Sequence, residues 1–381
     1  MSNSSPLSKK IGILGGGQLG RMFIENALRY DVEIHILDPS ANAPCAHLTK
    51  HFVQGDFRDY QTVIDFAKNL DVLTIEIEHV NTEALYKIEE DGVQVIPNAK
   101  AIETIKDKGL QKQFYQDYEI RSSLFRLVNS QEDLAQHTSF LPFFQKARKD
   151  GYDGKGVLAM NSTSDFEHGF DVPSVLEKSV DIEKEISVIV AKDQLGNLAL
   201  YPIVELVFDP VYNLVDYLIA PAEITEQQAK KAKDLAQRVC QGLNSPGLFA
   251  VEMFLSKEGE ILVNETAPRA HNSGHHTIEA SISSQFDQHL RILLGLPLGS
   301  TNSYPCAAMV NIVGSEGHTG KALYLGIEKL SELENVYVHL YGKEVTKPGR
   351  KMGHVSVLGN NREEVIAKIE QVKSAVQVIA E

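Results

Sequence analysis

The stretch IGILGGGQLGRM, residues 11–22, reads as an apolar strand, a glycine turn and the opening of a helix. Gly15, Gly17 and Gly20 have the G-x-G-x-x-G spacing of a dinucleotide-binding turn, and Asp38 follows about 20 residues on, where a ribose-binding acid belongs. A glycine-lined helix N-terminus suits any phosphate, so the turn by itself does not name its ligand. It does settle the local architecture as strand, turn and helix.

The surrounding sequence continues that pattern. VEIHILD (32–38), DVLTIEIEH (71–79) and VQVIP (93–97) read as strands, and YQTVIDFAKNL (60–70) and NTEALYKIEEDG (81–92, capped by Asn81) as helices. Alternating strands and helices imply a parallel, doubly wound sheet. A helical linker, AKAIETIKDKGLQKQFYQDY (99–118), leads to a module of different style. Short strands FLPFFQKAR (140–148) and PSVLEKSV (173–180) flank the loop GYDGKG (151–156), which suggests a small α+β subdomain over about 122–180. Longer strands follow in EKEISVIVA (183–191), LALYPIVELVFD (198–209), GLFAVEMFL (247–255) and EILVNETA (260–267), with one amphipathic helix, 226–243. A tail holds AAMVNIVG (307–314), two strands around KPGRKMG and a last helix, 362–376. Three domains are expected, at 1–98, 99–300 and 301–381, of mixed α/β and α+β class.

Composition narrows the function classes. A chain of 381 residues, 43% hydrophobic and 23% charged, is that of a globular protein with more than one core. No apolar run approaches the roughly 20 residues of a membrane helix, and the polar start MSNSSPLSKK has no signal-peptide h-region. Cys45, Cys240 and Cys306 show no framework spacing, which implies reduced thiols and a cytoplasmic setting. A formal charge of −14 argues against a broad nucleic-acid surface, though not against a small anionic substrate.

Two carboxylates carry the strongest chemical signal. If GLFAVEMFL and EILVNE are joined by a four-residue turn, Ser256–Gly259, then Glu252 pairs with Val263 and Glu265 is its diagonal neighbour, about 7–8 Å away. Such a pair can bracket Mg²⁺, which takes one or two carboxylates plus phosphate oxygens. Two solvated acids on an exposed hairpin remain the alternative from spacing alone. Asn264 and the donor-rich segment Pro268–His276 weigh against it. In that segment Arg269 offers a bidentate fork for a carboxylate or phosphate. A zinc site on His271 and His275 is disfavoured by Gly274 and by the lack of H-E-x-x-H.

The glycines of GYDGKG let backbone N–H groups approach phosphate, with Lys155 and Lys146 adding charge, but a surface turn is equally compatible. Glu76 and Glu78 are expected on one strand face near its carboxyl end, where open α/β sheets place ligands. Lys343, Lys347, Arg350 and Lys351 crowd around Pro348-Gly349, a positive cluster in an acidic chain that could hold a phosphate or simply be a solvated turn.

Taken in order, GGGQLGRM, EIEHV, GYDGKG, EKEISVIV, FAVEMF, NETAPRAHNSGHHTIEA and YGK…KPGRKMGHV resemble the 5-(carboxyamino)imidazole ribonucleotide synthetase family of the ATP-grasp superfamily. The resemblance runs from about residue 10 to 375. It implies an ATP-grasp fold at 99–300 with a lid, a Rossmann-like domain before it and a small α+β domain after it. It also implies a carbon–nitrogen ligase of purine biosynthesis: ATP phosphorylates bicarbonate to carboxyphosphate, whose carboxyl group passes to the amine of aminoimidazole ribonucleotide. ATP and Mg²⁺ (or Mn²⁺) would be the cofactors and a homodimer the assembly.

Carried onto this chain by the resemblance, Lys108 and Lys146 would contact ATP phosphates under the loop Gly151, Tyr152, Asp153, Gly154, Lys155, Gly156 and Val157. Glu177, Lys178, Ser179 and Val180 would form the adenine edge, Glu185 would meet the ribose, and Glu252, Asn264 and Glu265 would hold metal and nucleotide. Glu76, Tyr152, Asp153, Lys155, Arg269, His271, Asn272 and Ser273 would meet bicarbonate and the aminoimidazole. The substrate phosphate would lie between Gly17, Gln18 and Leu19 and the cluster Lys343, Arg350 and Lys351. The chain departs from the family pattern at Lys108 (commonly Arg), Leu206 and Phe208 (commonly Asn and His), Ala270 and His276. The rival readings are a formate-using ribonucleotide transformylase, a nicotinamide dehydrogenase and a non-catalytic nucleotide sensor.

Overall fold

A computed structural model describes residues 5–149, 151 and 156–381. The opening stretch forms β1 (Ile11–Leu14) and α1 (Gln18–Leu28), followed by β2 (Ile34–Asp38), β3 (His51–Gln54), α2 (Tyr60–Ala67), β4 (Val72–Ile75), α3 (Thr82–Glu90) and β5 (Gln94–Val95). Every β1 residue is buried, because this strand is central in a parallel sheet of order β3-β2-β1-β4-β5. Asn81 caps α3 as expected, accepting from the Ala84 N–H at 2.9 Å. Strand β3, the half-exposed edge segment HFVQ, has no strong alternation and escapes the pattern reading.

The expected helical linker is two helices, α4 (Ala99–Lys106) and α5 (Lys108–Asp117). Asp107 leaves helical geometry (φ −109°, ψ 111°) and its carboxylate caps the second helix through the Gly109 N–H at 2.8 Å. A separate four-stranded sheet follows, over the segment expected to form the lid, with β6 (Phe125–Val128), β7 (Phe143–Ala147), β8 (Val157–Met160) and β9 (Ser174–Lys178) in the order β6-β9-β7-β8.

Then come β10 (Ile182–Lys192), β11 (Leu198–Leu200), β12 (Val204–Asp209), β13 (Leu214–Ala220), α6 (Glu226–Gly242), β14 (Gly247–Ser256), β15 (Ile261–Ala267), α7 (Thr277–Ala280) and α8 (Gln285–Leu294). LALYPIVELVFD is therefore two strands rather than one; Pro202 lies in the break and has no N–H to give a ladder. LVDYLIA, read as no element in the sequence, is β13. The tail supplies β16 (Cys306–Val313), β17 (Gly320–Leu325), α9 (Ile327–Leu330), β18 (Val336–Leu340), β19 (Val345–Thr346), β20 (Lys351–Gly359), α10 (Arg362–Ala375) and β21 (Gln377–Ala380).

One sheet runs β15-β14-β10-β12-β13-β16-β20-β18, so the tail strands extend the central sheet across residue 300 through the β13–β16 pairing, Tyr217 opposite Val310. At the other end, Met22 and Phe23 of α1 share a core with Phe286, Leu290 and Leu293 of α8. The tail strands thus share a sheet with the carboxylate hairpin, and the tail also reaches the glycine turn, where Lys343 bonds Gln18.

Candidate active site

The hairpin carrying Glu252 and Glu265 differs from the expected register in two places. Its turn is three residues, Lys257–Gly259, closed by a Ser256 N–H to Glu260 carbonyl bond of 2.9 Å, with Gly259 at φ +80°. A left-handed glycine at the end of a three-residue loop is a common way to close a short hairpin. Leu255 therefore faces Ile261, and Met253 faces Val263. A bulge then inserts Asn264, after which Glu252 stands directly opposite Glu265. The diagonal expectation is corrected to a face-to-face pair, a closer arrangement than the sequence spacing implied.

Proximity of like charges has its consequence. Burial, then the facing Glu265, then Glu185 push the Glu252 carboxyl above the usual range, while Lys108 holds Glu265 below it. Lys108 Nζ bonds Glu265 Oε2, and His271 Nε2 lies 3.7 Å from Glu252 Oε1. The pair with Asn264 between is an all-oxygen donor set with excess negative charge, which fits a hard divalent cation. Among the described residues no group of three or more His, Cys, Asp or Glu is assembled to hold a metal, so such a cation would complete its shell with phosphate oxygens and water.

On the lid side, Lys146 of β7 reaches back to Asn264 Oδ1 at 3.0 Å and to Glu177 Oε1 at 3.2 Å. Glu177 of β9 sends its side chain into the interior, to Lys112 at 3.0 Å and Ser123 at 2.9 Å; against its burial, Lys146 first and then Lys112 and Ser123 pull its carboxyl down to about 2. The Glu177 side chain is thus committed to these partners, which leaves only the backbone of the segment 177–180 for the contact expected there. Within that segment Lys178 N–H donates to Leu124 and Ser179 N–H to Pro142, before Val180 leads into β10.

Glu185 of β10, raised to about 7 by burial, borders an open cleft of about 290 Å³ also lined by Glu183, Leu206 and Phe208. Phe208, set aside in the sequence reading, lies in the same wall as Glu185. Gly156, at φ +76°, gives its carbonyl to the Ala147 N–H and closes the base of the glycine loop between Gly151 and Val157. Tyr152, Asp153, Gly154 and Lys155 lie outside the described residues.

At the opposite end, Glu76 and Glu78 do not share a strand face. Strand β4 stops at Ile75, pairing there with Leu14, and the chain turns beyond it. Glu76 folds under the glycine turn, its two carboxylate oxygens accepting from the Gly17 and Gly20 N–H groups, while Asp38 accepts from Gly16 at 2.7 Å. Burial lifts Glu76 to about 7. Glu78 pairs with Arg269 at 2.9 Å, and Leu19, Glu76 and Arg269 line one small void.

Gln285 clamps the backbone of His271 from both sides, with its Oε1 on the N–H and its Nε2 on the carbonyl, each at 2.9 Å. His271 Nδ1 meets Ser273 Oγ at 2.9 Å, and Ser273 meets Ser187 at 2.9 Å. Asn272 is locked to Asn311 of β16 at 3.0 Å. His275 and His276 are fully buried and held neutral by that burial, His276 down to about 4.

The basic tail joins this end. Lys343 Nζ bonds Gln18 Oε1 at 2.7 Å and the Lys351 carbonyl at 2.6 Å, and Arg350 bonds the Val345 carbonyl at 2.6 Å. Sequence reasoning missed Lys112, Ser123 and Gln285. A lysine on the same helix face as Tyr115 was the available signal for the first.

The chain matches three family models in order: a ribonucleotide synthetase preATP-grasp domain over residues 8–106, an ATP-grasp domain over 113–286 and a phosphoribosylaminoimidazole carboxylase C-terminal domain over 307–368. It is 36% identical to the N5-carboxyaminoimidazole ribonucleotide synthase of Brucella melitensis, over 91% of this chain and 95% of that protein. It is 37% identical to the chloroplastic phosphoribosylaminoimidazole carboxylase of Vigna aconitifolia, over 92% of this chain but 64% of that longer protein. The chain thus spans about two thirds of the length of the carboxylases it matches.

A crystal structure of the Aspergillus clavatus N5-carboxyaminoimidazole synthase with ADP and 5-aminoimidazole ribonucleotide superposes with a TM-score of 0.89 at 34% identity, covering 97% of this chain and 99% of that one. With the acid pair, the lid lysine and the Arg269–Ser273 segment arranged as described, the chain belongs to the N5-carboxyaminoimidazole ribonucleotide synthase family of ATP-grasp proteins.

Proposed function

We propose that the chain carboxylates 5-aminoimidazole ribonucleotide with bicarbonate at the expense of ATP, releasing N5-carboxyaminoimidazole ribonucleotide, ADP and phosphate. The observation that carries this reading is the Glu252–Glu265 pair, set between two lysines on one side and Arg269–Ser273 on the other. The lysines Lys108 and Lys146 face the nucleotide phosphates, and phosphoryl transfer asks mainly for such positioning and charge neutralisation.

A bicarbonate oxygen takes the γ-phosphoryl group as the bond to ADP breaks. Arg269, held in place by Glu78, offers its guanidinium to the bicarbonate, and Asn272 and Ser273 fix its orientation. Carboxyphosphate then releases CO2 and phosphate, the exocyclic amine of the ribonucleotide bonds the CO2 carbon, and the amine proton leaves to a nearby base. His271, between Ser273 and Glu252, is placed to hold that proton. Mg²⁺ (or Mn²⁺), bound by Glu252, Asn264 and Glu265, would neutralise phosphate charge during transfer. The ribonucleotide's own phosphate is assigned to Gln18, Leu19 and the cluster Lys343, Arg350 and Lys351. A lid over residues 151–157 would exclude water from carboxyphosphate. A cytoplasmic homodimer completes the reading; light scattering on the purified protein checks the assembly.

One assay tests the reaction: phosphate release from ATP with the ribonucleotide, with bicarbonate compared against formate. Release that depends on both the ribonucleotide and bicarbonate is expected. Release with formate instead would transfer the chain to formyl chemistry. The dehydrogenase reading is opposed by Glu76, which occupies two of the N–H groups a pyrophosphate would need.

A further inference from the structure

Behind the lid lysine lies a buried ionic cluster with no part in the scheme above. Lys112, on α5, is 2% exposed and among the largest fully enclosed side chains of the protein. Its Nζ sits 3.0 Å from Glu177 Oε2 and 3.3 Å from Ser123 Oγ, above the Tyr115 ring. The other oxygen of the same carboxylate, Glu177 Oε1, is 3.2 Å from Lys146 Nζ. Lys146 is partly exposed and turns its remaining reach to Asn264 Oδ1 at 3.0 Å, next to Glu265 in sequence. One carboxylate is therefore shared between a lysine sealed in the interior and a lysine facing the nucleotide.

Burying a lysine carries a heavy solvation cost unless it is paired, and replacing such a pair with apolar residues is often neutral or stabilising. Lys112 is thus a poor device for stability alone. Its effect on charge is clearer. With Lys112 and Glu177 cancelling, Lys146 keeps its full positive charge for a ligand. Without Lys112, the buried carboxylate has Lys146 as its sole cationic partner, draws it inward and neutralises it.

We infer that Lys112 is a positioning residue: by balancing Glu177 it releases Lys146 to bind nucleotide phosphate. This rests on the reading above only in taking the Lys146 end of the cleft as the phosphate end. Burial and the nearby Lys146 depress Lys112 to about 8, which leaves it protonated at neutral pH, as the balance requires.

The inference makes Lys112 act solely through Glu177, and a double-mutant cycle reads that out. ADP with Mg²⁺ is titrated calorimetrically into the wild type, K112M, E177Q and the double variant, with thermal midpoints measured alongside. K112M is expected to bind at least about tenfold more weakly, as when one partner of a buried charge pair is removed. Its KM for ATP should rise while that for the ribonucleotide stays near wild type. In the E177Q background K112M should change affinity less than about twofold, since the charge it balanced is gone. A purely structural role would move thermal midpoints without this interaction.

The inference is overturned if K112M binds as the wild type, or if it weakens binding equally in both backgrounds. Should K112M alone not fold, K112R and K112Q take its place in the same cycle: K112R, which keeps the charge, is expected to bind within about threefold of the wild type and K112Q about tenfold more weakly, and equal binding by the two overturns the inference. A chain that binds nucleotide but does not turn over the ribonucleotide would sink the proposed reaction and leave this inference standing.

Discussion

At the scale of single residues, the site works by setting like groups to unlike protonation states. Glu252 and Glu265 face each other, yet one is pushed up by its neighbour and the other held down by Lys108. Replacing Glu265 with Gln removes the partner of Lys108 and, on the proposed function, a ligand of the cation. Turnover should fall by at least about a hundredfold, the scale of losing an electrostatic catalytic contact. Near-normal activity at low millimolar Mg²⁺ would show the metal assignment to be wrong.

Glu177 gives a pH prediction. Its folded value, about 2, lies below the ordinary 4.5, so its contribution to stability is complete above about 4.5 and drains away as pH falls toward 2. By linkage this is on the order of 3 kcal/mol at most. Thermal melts between pH 6 and 2.5 should show the wild type losing its advantage over E177Q in that window. A gap that stays constant with pH would contradict the ion-pair account.

The legibility of residues followed their chemistry. Arg269, His271 and Asn264 stood out as candidates because polar side chains cluster there in sequence. Lys112 and Gln285 were not, because their importance comes from where folding buries them.

At the scale of elements, a turn and a bulge decide the chemistry. The sequence reading placed β14 and β15 correctly but assigned a four-residue turn, and it had no signal for the extra residue at Asn264. Register depends on hydrogen bonding, and a one-residue difference is invisible to hydrophobic alternation over so short a hairpin. Gly259 tests the turn. A Cβ there meets nothing closer than 3.9 Å, so Gly259→Ala costs only the left-handed backbone strain, about 1 kcal/mol. A small fall in thermal midpoint with unchanged KM values is expected. A large loss of activity would mean that the turn also sets the spacing of the acid pair.

Strands β3 and β13 escaped notice for different reasons. The first is a short half-exposed edge, and the second has apolar residues at consecutive positions, Leu214-Val215 and Leu218–Ala220, which breaks the alternation.

At the scale of the whole molecule, the two ends of the chain meet. Gln18, near the start, and Lys343, near the end, share a hydrogen bond. Lys343→Met should raise KM for the ribonucleotide roughly tenfold or more, the cost of one charged hydrogen bond to a phosphate, and leave that for ATP within about twofold. Equal effects on both substrates would remove the tail from the ribonucleotide site. The front parallel sheet was legible from alternation alone, and the convergence of front, hairpin and tail was not, since no local pattern encodes which distant elements share a core. It came through the resemblance of motifs, which carries the geometry of the whole family with it.

The β13–β16 joint has a practical consequence. A fragment cut at residue 300 would leave the inner ladder of Leu214–Ala220 bare, and the remaining piece would begin with the complementary strand, Cys306–Val313. Open strand edges of this kind seek partners. Made separately, each half would be prone to clump; made together, they would be drawn to reassemble as a split enzyme whose recovered activity reports their meeting.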